Sequence, residues 1–224
     1  MPTARAARRA PYQRARAPAH KAERLEAILD AAEARVRREP FADIQMSDLA
    51  RRVGLVKGTL YLYFPTKEAL FVAVVRRVFA RFFAAAAAGV AAAPATRAGV
   101  CGALAGAIGA EPALRPLVAV LHTALEHNLS DRGVADFKRF LLGEVTALGA
   151  RIDARLRWPA GSGARLVLRL HVLVIGLHHV ATPSPAVRRA LADPALALFR
   201  SDFAAQLAEL LPLVAHPLPE GETP

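Results

Sequence analysis

The segment from Gln45 to Lys67 reads QMSDLARRVGLVKGTLYLYFPTK, and its punctuation leaves room for only two short helices joined by a sharp bend. Leu49 and Val53 share one helical face, and Leu60 and Phe64 share another at the same four-residue spacing. Gly54 between them tolerates a positive φ, so it closes the first helix and turns the chain into the next. Pro65 forces its predecessor out of the α region and ends the second helix, about Val56 to Phe64, after little more than two turns. A helix, a tight turn and a second short helix is a fold unit that reads DNA when its outer face is polar and aromatic.

That outer face is specified residue by residue. With Leu60 and Phe64 turned inward, Gly58 and Leu62 point away with Thr59 beside them, and Tyr61 and Tyr63 flank the strip. Lys57 stands at the helix N-terminus, the end of a recognition helix that meets base edges. Gly58 is a poor helix former, which points to close backbone approach by a partner. Thr66 is placed to cap the following helix, and Lys67 to hold a phosphate.

These residues carry a resemblance: positions 24–72, and GLVKGTLYLYFPTKEALF in particular, are similar to the N-terminal domain of the TetR family of bacterial transcriptional regulators. By that resemblance Lys57, Gly58, Thr59 and Tyr61 meet bases of a double-stranded operator, while Leu62, Tyr63 and Lys67 lie on its backbone. Two positions depart from the family pattern. Gln45 stands where a Thr or Ser usually caps the first motif helix, and Val56 where a Ser usually caps the second, each a loss of about 1 kcal/mol.

The rest of the chain reads as helix nearly throughout, giving an all-α expectation: a three-helix DNA-binding domain over residues 21–68 and a larger helical effector-binding and dimerisation domain over 69–216. Arg24 to Glu39 carries Leu25, Ile28, Leu29, Ala32 and Val36 on one face before Pro40. Lys67 to Gly89 carries a double apolar stripe without a breaker, a mechanical link out of the motif. Asp131 to Arg157, Arg165 to Thr182 and Pro194 to Val214 follow as further helices, the second of them apolar almost all round. Residues 1–20, rich in Arg and Pro, are expected to be a disordered basic tail, and 217–224 a second tail. The resemblance implies a homodimer whose seam is built from the last two long helices, with Val174, His178, Phe203 and Leu207 as expected seam positions.

Charge and chemistry narrow the function. Lys and Arg number 30 against 19 Asp and Glu, a net +11, and residues 1–70 hold +6 of it, so an anionic partner is favoured. GxSxG, P-loop and HExxH motifs do not occur, so no catalytic residue is assigned. Cys101 is the single cysteine, which excludes an intramolecular disulfide and a CxxC pattern. His122, Glu126, His171 and His178 are spaced as polar groups within a helical bundle rather than as a metal set, and neither metal nor cofactor is expected. The apolar tracts Phe82 to Ala93 and Leu170 to Ile175 are too short to cross a bilayer, and the N-terminus lacks a secretory pattern, so a soluble cytoplasmic protein is expected. The effector is expected to be small and apolar or amphipathic, with His122, Glu126 and His171 as polar anchors. Two other functions fit the residues alone: a ligand-independent DNA-binding protein, and a helical small-molecule-binding protein or enzyme.

Overall fold

The computed structural model describes residues 12–219. Its described residues hold helices and no strand. The first helix, α1, spans Tyr12–Val36, then a 3-10 turn at Phe41–Asp43 leads into α2 (Met46–Arg52), α3 (Lys57–Tyr63) and α4 (Lys67–Ala92). Ile28, Ala32, Val36, Met46, Leu49, Leu60, Leu70 and Phe71 are buried together, so the inward positions read from the sequence form a single small core. Gly54 has φ +67°, the left-handed turn that joins α2 to α3. Thr66 accepts a hydrogen bond from the Ala69 amide, while Gln45 and Val56 make no side-chain cap.

Tyr12 to His20, expected as part of a disordered tail, instead continue α1 as helix. Ala, Arg and Gln in this stretch have high helix propensity and extend a helix that is already nucleated, although Pro18 within it is a poor helix former. Residues 1–11, the rest of that expected tail, lie outside the described residues.

Helix α4 leaves the small core and enters a larger one. It packs against α5 (Arg97–Gly109) and α7 (Asp131–Leu156). Between those come α6 (Leu114–Val120), a π-helical turn at Leu121–Leu125 and a short 3-10 turn to Asn128. Helix α8 (Ser162–Ala181) lies on α7, α6 and α10 (Phe203–Val214), and α10 closes back onto α5. The α7–α8 crossing is tight: a Cβ on Gly149 would stand 2.5 Å from the Ala164 amide nitrogen, so glycine is required there. Asp153 fixes the turn, accepting from the amides of Gly161 and Gly163 at 2.9 and 2.6 Å.

The C-terminal region departs from the expectation twice. Pro194 to Val214 is not one helix: a 3-10 segment at Pro194–Phe199 ends in extended backbone at Arg200, and α10 restarts with Asp202 as its cap. Arg200 holds the break by donating to the carbonyls of Leu191, Ala192 and Asp193, and α9 (Pro185–Ala190) precedes it. Nor is residue 217 the start of a disordered tail, because Leu218 is buried and its amide donates to Ser162 Oγ at 3.0 Å. Residues 220–224 lie outside the described residues.

The reading of the apolar tracts as too short for a bilayer is also corrected. At 20 residues α8 is long and apolar enough to cross one by length and composition, because Leu170 to Ile175 continues N-terminally past Arg169 and Arg165 and C-terminally through Gly176 to Ala181. Only part of α8 is covered within the protomer: Leu168, Val172 and Val180 stand exposed at multiples of four residues, and Leu213 on α10 is 70% exposed.

Candidate functional site

The outer face of α3 is assembled as its spacing requires. Lys57, Gly58, Tyr61 and Leu62 are exposed, Thr59 and Tyr63 half-buried, and Leu60 and Phe64 buried beneath them. Leu62 is 86% exposed, an apolar group left in water on a surface otherwise fit for contact. Lys57 extends along the helix, its Nζ 5.8 Å from the Tyr61 ring centroid. At Gly58 an added Cβ would meet nothing within 4 Å, so the protein's own packing does not demand glycine there. Gly58→Ala is therefore expected to raise stability by up to about 1 kcal/mol through helix propensity. The same change should weaken DNA binding if a partner approaches the backbone, and paired melting and gel-shift measurements check both halves.

Lys67 takes a different place from the one expected. Its Nζ donates to the carbonyls of Phe41 and Ala42 and sits 4.2 Å from the Phe41 ring centroid, so it clamps the 3-10 turn onto the start of α4. Burial pushes its ammonium below the usual value despite Glu68, Asp43 and Glu39 nearby. Two of its three donors are committed inside the chain, which leaves one for a phosphate. The sequence placed Lys67 by its position after α3 and could not show the carbonyls waiting above it.

The second site is a cavity of about 330 Å3 inside the larger core. Its walls are apolar, with Phe79, Phe82 and Phe83 from α4 facing Val118, Leu141 and Leu170. Its polar lining residues are His122, His171 and Lys138. His122 Nδ1 lies 3.1 Å from Glu126 Oε2, His122 Nε2 lies 2.8 Å from His171 Nε2, and Lys138 Nζ donates to Glu126 Oε1 at 2.7 Å. Thus the three expected anchors come together, Glu126 standing behind His122 rather than in the wall. Lys138 escaped the sequence reading, since its place opposite Glu126 depends on how α7 packs. Burial would raise the Glu126 carboxyl, but the hydrogen bonds from Lys138 and His122 outweigh it and keep it below the usual range. Burial, then the neighbouring His122 and Lys138, bring His171 down to about 4. Among the described residues no group of three or more His, Cys, Asp or Glu is arranged to hold a metal ion.

The expected seam positions are corrected by their surroundings. Val174, Phe203 and Leu207 are buried within the protomer, Val174 in the wall of the cavity, so they cannot face a partner. His178 is half-buried with its Nδ1 lacking a partner among the described residues, and burial, then Arg115 and His179, bring it to about 4. A helix apolar all round has an inner and an outer stripe, and composition does not say which is which. Here the outer stripe is Leu168, Val172 and Val180, which the sequence reading passed over.

A third cluster ties the two bodies together. Arg81 donates to Glu111 at 2.7 and 2.8 Å and to Glu33 at 2.8 and 3.2 Å, and Arg77 donates to Glu33 at 2.7 Å and Asp30 at 2.8 Å. Glu33 belongs to α1, both arginines to α4, and Glu111 to the turn before α6. Burial would raise the Glu33 carboxyl, yet the two arginines hold it below its ordinary value. The sequence signal was there in Arg77 and Arg81, four apart on one side of a largely apolar helix.

A short exposed reading helix joined by one continuous helix to a cavity-bearing bundle defines a DNA-binding regulator with a separate helical domain. The chain belongs to the TetR family of bacterial regulatory proteins: residues 28–74 match the family's N-terminal model and residues 75–218 match the tetracyclin repressor-like C-terminal domain. Among curated relatives, the HTH-type transcriptional regulator EthR of Mycobacterium tuberculosis is 44% identical over 52 residues, 23% of this chain and 24% of that protein. The chain thus spans about a quarter of the length of the curated relatives it matches. Among solved structures, the SCO7518 protein of Streptomyces coelicolor A3(2) is similar with a TM-score of 0.53 at 17% identity, over 86% of this chain and 98% of that one. FadR of Bacillus subtilis, solved in complex with stearoyl-CoA, gives 0.50 at 16% identity over 85% and 99%. At these identities the structural neighbours share the fold. The all-α architecture expected from the sequence, with its helix-turn-helix and helical C-terminal domain, is the fold of this family.

Proposed function

We propose that this protein is a cytoplasmic repressor that binds a near-palindromic operator as a homodimer and leaves it when a small apolar or amphipathic molecule fills the cavity. The observation that carries this reading is the span of α4. It begins beside the reading helix, and its Phe79, Phe82 and Phe83 form one wall of the cavity. Two recognition helices of a dimer must meet successive major grooves about 34 Å apart, so a modest tilt of α4 in each subunit spoils the match. Arg81 reinforces the link, since its Glu111 partner stands just before α6, whose Leu114 and Val118 line the same cavity. A coupling of about 1–3 kcal/mol lowers operator affinity roughly 5- to 150-fold, and linkage requires DNA to weaken the ligand equally.

On the DNA side, Lys57, Gly58, Thr59 and Tyr61 approach base edges, while Leu62, Tyr63 and the remaining donor of Lys67 face the backbone. The test is a duplex shift assay with genomic fragments flanking the gene. The wild-type protein should select one fragment over bulk DNA, and Lys57→Ala should weaken that complex by about 1–3 kcal/mol. Tyr61→Ala should weaken it too. Wild-type affinity in the Lys57→Ala protein would refute the recognition-helix assignment. Equal affinity of a bound small molecule for free protein and for the operator complex would favour a ligand-independent DNA-binding protein.

A further inference from the structure

The apolar part of the reading face has a specific counterpart in DNA, an inference that rests on reading α3 as the recognition helix. From His20 to Leu141 the large apolar side chains left exposed are Val56, Tyr61 and Leu62, and all three belong to α3 or to the residue that precedes it as its cap. A single exposed valine is ordinary on a protein surface. Three such groups gathered on one seven-residue helix and its cap are not, when the rest of that stretch keeps its large apolar side chains at least partly covered. Val56 is 72% exposed and makes no side-chain cap. Its carbonyl starts the helix by accepting from the amides of Thr59 and Leu60 at 3.0 and 3.3 Å. The fold thus uses the main chain of Val56 and leaves its isopropyl group free.

On the base edges of the major groove the apolar group is the C5 methyl of thymine. Guanine, adenine and cytosine present acceptors and donors there, which lose water without compensation when an aliphatic group covers them. Valine is short and reaches the groove floor only if the helix backbone sits deep. Gly58, two residues further on, permits that approach, and packing within the protein does not require glycine there. Arg51, Arg52 and Lys57 stand exposed on the same two helices, so the apolar groups are set among cations, as suits a polyanionic duplex. We propose that Val56 packs against the C5 methyl of a thymine beside the base pair that Lys57 addresses, and so imposes on the operator a requirement for thymine beyond what hydrogen bonding demands. Leu62, with no hydrogen bond to give a phosphate, lies against deoxyribose carbons of the backbone.

The experiment starts from duplexes that the full-length protein selects out of a random-sequence pool. Each thymine of the selected site is replaced in turn by deoxyuridine, which removes the methyl and keeps the pairing, and affinity is read in a competition shift assay. Burial of one methyl group is worth about fourfold in affinity, so one thymine per half-site should show that loss, and its replacement in both half-sites a loss of about fifteenfold. 5-Bromodeoxyuridine at the same position, with bromine filling the place of the methyl, should restore binding. Val56→Ser changes an exposed position to a good helix cap, so the variant should melt no lower than the wild type and reduce the fifteenfold ratio to below about threefold. Selected half-sites without thymine, deoxyuridine tolerated within about twofold in both half-sites, or an undiminished ratio in the Val56→Ser protein would overturn the proposal. The deoxyuridine series uses the unmodified protein, so it can refute the contact even if the variant fails to fold. Failure to select any sequence would remove the functional reading together with this inference, whereas selection that ignores the methyl group removes this inference alone.

Discussion

Glu33→Ala is expected to destabilise the folded protein by about 3 kcal/mol, the cost of stripping a buried carboxylate from cations it satisfies. Glu33 is 5% exposed and accepts from Arg77 and Arg81 and also from Arg37. Removing it leaves the Arg77 guanidinium, itself mostly enclosed, facing only the exposed carboxylates of Glu26 and Asp30. Urea unfolding followed by circular dichroism reads the loss directly, and a change below about 0.5 kcal/mol, the range of ordinary surface substitutions, would show the cluster to be a screened surface feature. The pH dependence has a definite sign. Because the folded protein holds the Glu33 carboxyl below its ordinary value near 4.5, its contribution is present above that pH and disappears as pH falls through the lower folded value. The Glu33→Ala protein should therefore lose less of its stability than the wild type over the same acid range.

Val172→Glu and Leu213→Glu are expected to convert the proposed dimer to a folded monomer and to cost operator affinity by orders of magnitude, since one recognition helix alone must then supply all the contacts. Both side chains are exposed in the protomer, 68% and 70%, so a charge there does not disturb the core. Leu207→Glu makes the opposite case. At 2% exposure it buries a carboxylate among apolar neighbours and should give insoluble or unfolded protein. Sedimentation combined with circular dichroism separates the two outcomes. Dimeric Val172→Glu and Leu213→Glu proteins would place the seam elsewhere.

The contrast between these leucines shows what the sequence could and could not convey. The inward and outward faces of α3 were legible, because in a seven-residue helix with a glycine before and a proline after, periodicity leaves one inward side, Leu60 and the capping Phe64. Helix α8 offers no such bias. Val172 and Val174 are the same residue two positions apart, and only the placement of α6, α7 and α10 decides that one is buried and the other exposed. The polar cluster of His122, Glu126 and His171 was legible as polar residues in apolar company. Lys138, which completes their chain, was not, because twelve residues and a change of helix separate it from Glu126. Lys67 was legible as a cation just past the motif but not as a clamp, since the carbonyls it meets lie 25 and 26 residues earlier.

The π-helical turn at Leu121–Leu125 bears on how such a cavity can change its occupant over generations. A turn of this kind holds one more residue than an α turn, and it sits where His122 enters the wall. Each residue in a regular helix advances about 100°, so excising a single residue here would rewind the turn and rotate the imidazole relative to Leu114 and Val118 upstream. The greasy walls would keep their shape while the polar end was rewritten. Insertion and deletion at this one turn, more than point substitution, would then be the inexpensive route by which descendants of this protein come to answer a different chemical signal.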